Sequence, residues 1–462
     1  MWLVVFSCVA TASEDPRLYS GEIDIPTLGP LGMTLGISDT DEGTYILMTV
    51  PAQEAENIPI PATYNQNAEL VAELSQIDLV FTVKENENQT ELNGRMDQHG
   101  MTFEIAFKRV EEAPTLTRPQ VPEGPFPYKS TEITVLHPDG HTLAGTLTTP
   151  HGEGPFACAV MISGSGMQDR DESLMGHKPF LVIADYLTRK GIAVLRFDDR
   201  GVGGSVVVDK AALELVTSED FATDVAAMVH TARWQSNIDP FRVGVIGHSE
   251  GGLIGPIVAM NDRNIAFVVM LAGPGVPGFE LMPVQAAMLM EAGGLDQELV
   301  DRIVDASMSI YELMRGGVSG VELRAQMMEL IDLQLASQGI TVTQEEFNDM
   351  TDQGLEQFDS PWFRWFLFHD PATVLVKVTC PVLAMNGTLD LQVSSEQNLP
   401  VIEETMLKAG GDITIVELEG LNHLFQKATT GEVSEYGQIE TTFEPEALEV
   451  LGHWLAEVTD YD

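Results

Sequence analysis

The hexapeptide GHSEGG at residues 247–252 directly follows the apolar run FRVGVI at residues 241–246. Ser249 therefore lies between glycines at the expected end of a strand. The simplest interpretation is a tight strand-to-helix turn that needs glycine and in which the serine has no role. The alternative is a nucleophile elbow, a strained turn that exposes a serine hydroxyl for attack on an acyl carbon. The rest of the chain has to decide between them.

The sequence around this motif has the pattern of a buried parallel sheet. Apolar strands alternate with helical stretches from Thr131 onward, among them FACAVMIS (156–163), IAVLRF (192–197), IAFVVMLAG (265–273), PVLAMNG (381–387) and ITIVELEG (413–420). Such uninterrupted apolar strands predict a mostly parallel sheet with helices on both faces. Strand signals stop between residues 278 and 370, where helical periodicity rich in methionine predicts a helical cap inserted into the sheet domain.

The chain before Thr131 has a different pattern. Residues 13–112 consist of short alternating segments separated by turn residues, which predict a small antiparallel β domain. Residues 113–130 are rich in proline and predict an extended linker. The catalytic core is then expected at residues 131–277 and 371–462, with the cap at 278–370.

The first twelve residues contain a short apolar run that ends in ATA. We interpret residues 1–12 as the remnant of an export signal, which predicts a periplasmic or secreted protein. The alternative is a first strand in a cytoplasmic protein. No later stretch is long enough to span a membrane, so no stable membrane insertion is expected.

The charge of the chain is strongly acidic, with 70 Asp and Glu against 24 Lys and Arg and a formal net charge of −46. This charge argues against nucleic acid and against an anionic membrane surface as partners, because both would repel it. Cys8, Cys158 and Cys380 have no metal-binding or redox spacing, and no metal or cofactor is expected. The sequence does not indicate an oligomeric state.

A nucleophilic serine needs a base, and the base needs a carboxylate that holds its tautomer. Asp390 follows the apolar strand PVLAMNG, and His423 lies just beyond the next strand, ITIVELEG. Taken alone, Asp390 is compatible with an ordinary turn aspartate and His423 with a loop histidine. The order strand-Ser, strand-Asp, strand-His is that of the α/β-hydrolase fold, so the sequence predicts the catalytic triad Ser249, Asp390 and His423.

An acyl-transfer site also needs donors for the developing oxyanion. The backbone N–H of Glu250, directly after the nucleophile, is one candidate. The loop SGSGMQDRDE (163–172) supplies the second, with the N–H of Ser165 preferred and that of Gly166 as the alternative. The other interpretation of this loop is a tight strand-to-helix connection. An aromatic cluster near the end of the cap is expected to pack the cap against the sheet, with one or two members lining the substrate pocket: Trp362, Phe363, Trp365 and Phe366.

From about residue 130 onward the chain resembles the bacterial EstD-type serine esterases of the α/β-hydrolase superfamily. The segments that carry the resemblance include SGSGMQDRDE, GHSEGGLIGP and NGTLDLQVSSEQN. The resemblance implies carboxylesterase activity on small acyl esters without metal or cofactor. It also implies Ser249 as nucleophile, Asp390 as acid and His423 as base.

We therefore expect an α/β-hydrolase fold with a helical cap, preceded by a β domain. The expected activity is hydrolysis of short- to medium-chain acyl esters, with a small-molecule ester as the partner and an acyl-enzyme as the intermediate. Two alternatives remain: a serine peptidase or aminopeptidase with the same triad, and a catalytically inert binding protein. An intact triad argues against the second.

Overall fold

The computed structural model describes residues 16–460 apart from 26–28, 42, 54, 99, 100, 116 and 319. The interpretation of residues 1–12 as a signal remnant, and Cys8, lie outside this range. The chain divides into two compact units. The first contains the described residues up to Arg118 together with Leu174–His177 and Val433–Glu440, and the second contains the remainder. These two short segments were expected in the catalytic core.

The first unit is a closed antiparallel barrel of eight strands. Its strands are β1 (Arg17–Ile25), β2 (Gly29–Thr40), β3 (Gly43–Val50), β4 (Ala55–Tyr64), β5 (Leu70–Leu74), β6 (Leu79–Glu85), β7 (Glu91–Gln98) and β8 (Met101–Val110). Each strand pairs with the next, and β1 pairs with β8 to close the barrel. Alternate residues such as Phe103, Ile105 and Phe107 are buried, as the period of two requires. The antiparallel prediction is confirmed, whereas closure was not predicted.

Between Val110 and Tyr128 the described residues contain no helix or strand. The segment between the strands covers residues 111–127, against the predicted linker 113–130, because β8 ends at Val110 and the next strand begins at Tyr128.

The second unit is built on an eight-stranded sheet. Its strands are β9 (Tyr128–Leu136), β10 (Thr142–Pro150), β11 (Phe156–Ile162), β12 (Ala193–Phe197), β13 (Ile238–His248), β14 (Val268–Leu271), β15 (Val382–Gly387) and β16 (Ile413–Leu418). The spatial order is β16-β15-β14-β13-β11-β12-β10-β9. The β9–β10 hairpin is antiparallel and pairs antiparallel with β12, and the other pairings are parallel. The carboxyl ends of β11, β13, β15 and β16 therefore share one edge.

Helices cover both faces of this sheet. The helices are α1 (Pro179–Arg189), α2 (Ser218–Arg233), α3 (Glu250–Asn261), α4 (Gly278–Ala292), α5 (Gln297–Arg315), α6 (Val321–Gln338), α7 (Gln344–Asp359), α8 (Pro361–Phe368), α9 (Ala372–Leu375), α10 (Ser395–Ala409), α11 (Val433–Tyr436, in the first unit) and α12 (Pro445–Thr459). One apolar core includes Val225 of α2 and Ile254 of α3, and the other includes Ile183 of α1 and Leu451 of α12. Burial on both faces explains why the strands lack alternation.

Helices α4 to α8 form an insertion between β14 and β15. They have a core of their own, which includes Ile310, Met327 and Phe363. A smaller cluster joins α4 and α8 to the sheet domain through Leu281 and Phe366, which pack with Leu253 of α3. The insertion is therefore helical, as predicted, and part of it lies against the helix that follows Ser249. Among the described residues, no helix combines the length and the apolar character needed to cross a bilayer.

Candidate active site

Ser249 occupies a strained turn between β13 and α3. Its backbone angles are φ 53° and ψ −118°, a region that residues other than glycine rarely adopt. The neighbouring glycines are required by close approach: a Cβ on Gly247 would lie 1.9 Å from the Gly251 carbonyl oxygen, and one on Gly251 would lie 2.2 Å from the Ile162 oxygen. This is the geometry of a nucleophile elbow, in which strand and helix leave the serine at the apex.

Asp390 and His423 are joined at the same edge of the sheet. Asp390 follows β15 and His423 follows β16, and His423 Nδ1 lies 2.8 Å from Asp390 Oδ2. The other carboxylate oxygen accepts the backbone N–H groups of Gln392 and Val393 at 2.8 and 2.9 Å. Both side chains are buried. Because the carboxylate accepts from Nδ1, the proton of a neutral imidazole lies on Nδ1 and leaves Nε2 as the basic nitrogen.

The structure contains no hydrogen bond between the Ser249 hydroxyl and His423 among its described residues. A hydrogen bond of His248 connects their two segments of the chain: His248 precedes Ser249, and its Nε2 lies 3.0 Å from the His423 carbonyl oxygen. The rings of His248 and His423 have centroids 4.8 Å apart. Catalytic hydrogen bonds in structures without substrate are often long and shorten only in the complex.

The loop after β11 lies beside Ser249, since a Cβ on Gly164 would be 3.3 Å from the Ser249 Cβ. The Gly164 N–H donates to Glu172 Oε1 at 2.7 Å and is therefore not a free oxyanion donor. Ser165 and Gly166 are exposed. Glu250 is the first residue of α3, so its N–H has no partner within the helix.

Asp199 holds this loop at its start and near its middle. Its carboxylate accepts from Ser163 Oγ and from the Gln168 N–H, each at 2.9 Å. Burial raises the pKa of the Asp199 carboxyl to about 7, against the lowering effect of these two hydrogen bonds. A second brace is formed by Arg170, whose Nε and Nη2 donate to the two oxygens of Asp198. The charged residues of these loops thus hold the backbone.

Glu250 has a buried side chain as well as a candidate backbone donor. Its Oε1 accepts from Ser218 Oγ and, at 2.8 Å, from Trp362 Nε1. Burial raises the pKa of the Glu250 carboxyl above its ordinary value, although both hydrogen bonds lower it in part. The hydrogen bond from Trp362 fixes α8 against the start of α3.

The four aromatic residues of α8 have different surroundings. Trp362 stacks on Phe366 with ring centroids 5.6 Å apart, and Phe366 belongs to the cluster that contains Leu253. Phe363 lies in the core of the insertion. Trp365 packs against the core of the sheet domain and also against the cluster that contains Leu253. Trp362, Trp365 and Phe366 therefore remain candidates for a substrate pocket beside Ser249, whereas Phe363 lies in the core of the insertion.

One cluster of described residues offers ligands of the kind that bind metals: His137, His141 and Asp224. His141 Nε2 lies 2.7 Å from Asp224 Oδ1, and Arg200 Nε donates to Asp224 Oδ2 at the same distance. The guanidinium already balances the carboxylate charge, so these groups satisfy one another. The cluster fastens the β9–β10 turn to α2.

Sequence reasoning did not identify Glu172 and His248 as site residues. Glu172 Oε1 lies 2.9 Å from His248 Nδ1, and both side chains are buried. The other ring nitrogen of His248, Nε2, lies 3.0 Å from the carbonyl oxygen of His423. No spacing rule connects a loop glutamate to a histidine 76 residues later. The only signal in the sequence is that Glu172 ends the segment SGSGMQDRDE and His248 lies inside GHSEGG.

A family model described as serine aminopeptidase, S33, matches residues 178–303. Esterase EstD of Thermotoga maritima is 26% identical over 381 residues, which cover 81% of this chain and 78% of the relative. Similar solved structures include an esterase of Pyrococcus furiosus, with 14% identity, a TM-score of 0.43 and coverage of 75% of this chain and 98% of that chain. Another is the proline iminopeptidase of Mycobacterium smegmatis, with 16% identity, a TM-score of 0.43 and coverage of 71% and 99%. The second unit has the α/β-hydrolase fold, and the family match and the esterase relative indicate a serine hydrolase enzyme similar to the EstD-type esterases.

Proposed function

We propose that the chain is a serine carboxylesterase that hydrolyses short- to medium-chain acyl esters through Ser249, His423 and Asp390. The observation that carries the proposal is the 2.8 Å contact between His423 Nδ1 and Asp390 Oδ2 at the sheet edge where Ser249 occupies its strained turn. A buried carboxylate that orients an imidazole at the same sheet edge as a half-buried serine is the arrangement that activates a hydroxyl nucleophile.

In the proposed mechanism, His423 Nε2 removes the proton of Ser249 Oγ as the oxygen attacks the acyl carbon. Asp390 keeps the ring in the required tautomer and stabilises the imidazolium. The N–H groups of Glu250 and Ser165, with Gly166 as the alternative to Ser165, hold the oxyanion. His423 then gives the proton to the leaving alkoxide, and an acyl-enzyme remains. Water activated by His423 releases the acid.

We propose that helices α4 to α8 act as a cap that limits acyl length. The contact of Trp362 with Glu250 and the packing of Phe366 on Leu253 support this role, because they bring the insertion beside the nucleophile. Each methylene that enters an apolar pocket contributes up to about 0.8 kcal/mol, a factor of about four in kcat/KM. The gain should stop where the cap closes.

The test combines active-site labelling with a panel of p-nitrophenyl esters. A fluorophosphonate should label wild-type protein and fail to label Ser249→Ala, which removes only a small side chain. The value of kcat/KM should rise from two to about six carbons and then fall. A maximum at twelve or more carbons would contradict the cap, and labelling of the Ser249→Ala variant would contradict the nucleophile.

An aminopeptidase activity is the second candidate, favoured by the description of the matching family model. Such an enzyme needs a carboxylate for the charged amino end of its substrate. The two glutamates nearest the nucleophile, Glu172 and Glu250, are buried and engaged with His248 and with Ser218 and Trp362. We therefore expect hydrolysis of p-nitrophenyl esters without cleavage of aminoacyl-p-nitroanilides. Comparable rates on both substrates would favour the aminopeptidase.

A further inference from the structure

Glu172 binds two separate parts of the site through one oxygen atom. Its Oε1 accepts the Gly164 N–H at 2.7 Å and lies 2.9 Å from His248 Nδ1. Glu172 is 6% exposed and His248 is 7% exposed, so water does not screen their interaction effectively. Glu172 also adopts φ 53°, a left-handed conformation that is unfavourable for a glutamate and is retained where the surroundings impose it.

His248 has an acceptor at each ring nitrogen. Nδ1 faces Glu172, and Nε2 lies 3.0 Å from the carbonyl oxygen of His423. A carbonyl oxygen only accepts, so the contact at Nε2 is a hydrogen bond only when Nε2 carries a proton, and an ionised Glu172 accepts from a proton on Nδ1. Burial by itself lowers the pKa of His248, but the Glu172 carboxylate and the His423 carbonyl raise it above its ordinary value. The raised pKa favours the protonated ring of His248 opposite Glu172.

These contacts form a continuous chain from Gly164 through Glu172 and His248 to His423. The chain joins the loop beside the candidate oxyanion donors, the residue before the nucleophile and the backbone of the candidate base. Asp390 fixes the His423 ring at Nδ1, whereas His248 fixes the His423 main chain. The two restraints are different, and both are needed to define where Nε2 lies.

We propose that Glu172 and His248 are positioning residues, a buried carboxyl–imidazole pair that sets the placement of His423 relative to the candidate oxyanion loop. The inference rests on the proposed function, because it takes His423 as the base. It predicts that loss of the pair slows acylation of Ser249 while substrate binding is retained. A pair that only stabilised the fold would change the amount of folded protein and leave kcat per folded molecule unaltered.

Two substitutions of His248 separate the two ends of the chain. His248→Asn keeps a donor near the Nδ1 position for Glu172 and loses the bond to the His423 carbonyl. His248→Gln has the opposite effect, because its amide nitrogen reaches the Nε2 position. Glu172→Gln keeps an acceptor for the Gly164 N–H and removes the charge opposite His248. The control is His141→Asn, which removes another buried histidine–carboxylate contact, that with Asp224.

The readouts are kcat and KM for p-nitrophenyl acetate and the rate of fluorophosphonate labelling, each per molecule folded by circular dichroism. His248→Asn and Glu172→Gln should lower kcat and the labelling rate by about 10- to 100-fold, with KM within about threefold of wild type. His248→Gln should retain more activity than His248→Asn, and His141→Asn should retain wild-type kcat.

The inference is wrong if His248→Asn or Glu172→Gln keeps kcat within about threefold of wild type. It is also wrong if the control His141→Asn lowers kcat as much as these two variants do. If His248→Asn or Glu172→Gln does not fold, the other of the two decides by the same criterion. Failure of the wild-type protein to react with the fluorophosphonate would instead contradict the proposed function. Labelling of wild type together with unchanged labelling of the variants would contradict the positioning role alone.

Discussion

Replacement of Ser249 by glycine should make the protein inactive and more stable than replacement by alanine. Both variants lose the hydroxyl, so they differ only in the backbone and the β-carbon. At φ 53° and ψ −118° a residue with a β-carbon carries about 1–3 kcal/mol of strain, which glycine relieves. Glycine in turn lowers the free energy of unfolding by about 0.4–1 kcal/mol, because it gives the unfolded chain more conformational freedom. We expect the free energy of unfolding of the Ser249→Gly variant to exceed that of Ser249→Ala by about 1 kcal/mol.

Differential scanning calorimetry of the two inactive variants measures this difference. For a domain of this size, 1 kcal/mol corresponds to an increase in Tm of about 2 °C. Ser309 on α5 provides the control, since Ser309→Gly should be less stable than Ser309→Ala by about 1 kcal/mol in a regular helix. The sign of the Gly–Ala difference therefore reverses between the two sites. Equal stability of the Ser249 variants, or a less stable glycine variant, would refute the strained elbow.

Three further substitutions test the surroundings of the elbow. Asp390→Asn should lower kcat by about 10⁴-fold, because the tautomer of His423 is no longer enforced; a loss under tenfold on p-nitrophenyl acetate would contradict the acid assignment. Asp199 has a folded-state pKa of about 7, above its ordinary value of 3.8, so its contribution to stability is full below about pH 4 and is lost as the pH rises to 7. This loss lowers the free energy of unfolding by about 4 kcal/mol between pH 4 and pH 8, and Asp199→Asn should abolish it. Urea unfolding at the two pH values measures it, and an unchanged difference in the free energy of unfolding between pH 4 and pH 8 would refute the assignment. Trp362→Phe should lower the free energy of unfolding by about 1.5–3 kcal/mol, since Glu250 loses a donor while the aromatic ring is kept; chemical denaturation measures it, and an unchanged value would show that the hydrogen bond contributes nothing.

The order of chemical groups along the chain allowed the site to be predicted before the structure. Parallel strands end at the same edge of a sheet, so residues that directly follow β13, β15 and β16 are brought together by topology alone. The contact between His423 and Asp390 follows from this rule. The glycines at 247 and 251 were also predictable, because a strand that turns at once into a helix leaves no room for side chains.

The remaining features depend on loop paths, which no periodicity describes. Glu172 reaches His248 because the loop after β11 returns to the elbow, and nothing in the spacing of the two residues indicates it. Barrel closure is similar: alternation identifies each strand, whereas the pairing of β1 with β8 depends on the accumulated twist of all eight. The association of Leu174–His177 and Val433–Glu440 with the first unit is likewise a property of the folded chain.

The strongly acidic composition creates a difficulty at this site, and the burial of its carboxyl groups addresses it. An oxyanion forming beside the Glu250 N–H is opposed by every ionised carboxylate nearby, most strongly by those without water between them. Burial raises the pKa of both Glu250 and Asp199, which lowers the ionised fraction of each at any given pH. Glu172 is instead paired with His248, whose raised pKa favours the positive charge that balances it. In the proposed mechanism, the raised pKa of Glu250 and Asp199 and the pairing of Glu172 with His248 each weaken the opposition of these groups to a developing oxyanion, while their hydrogen bonds hold the loop and the start of α3.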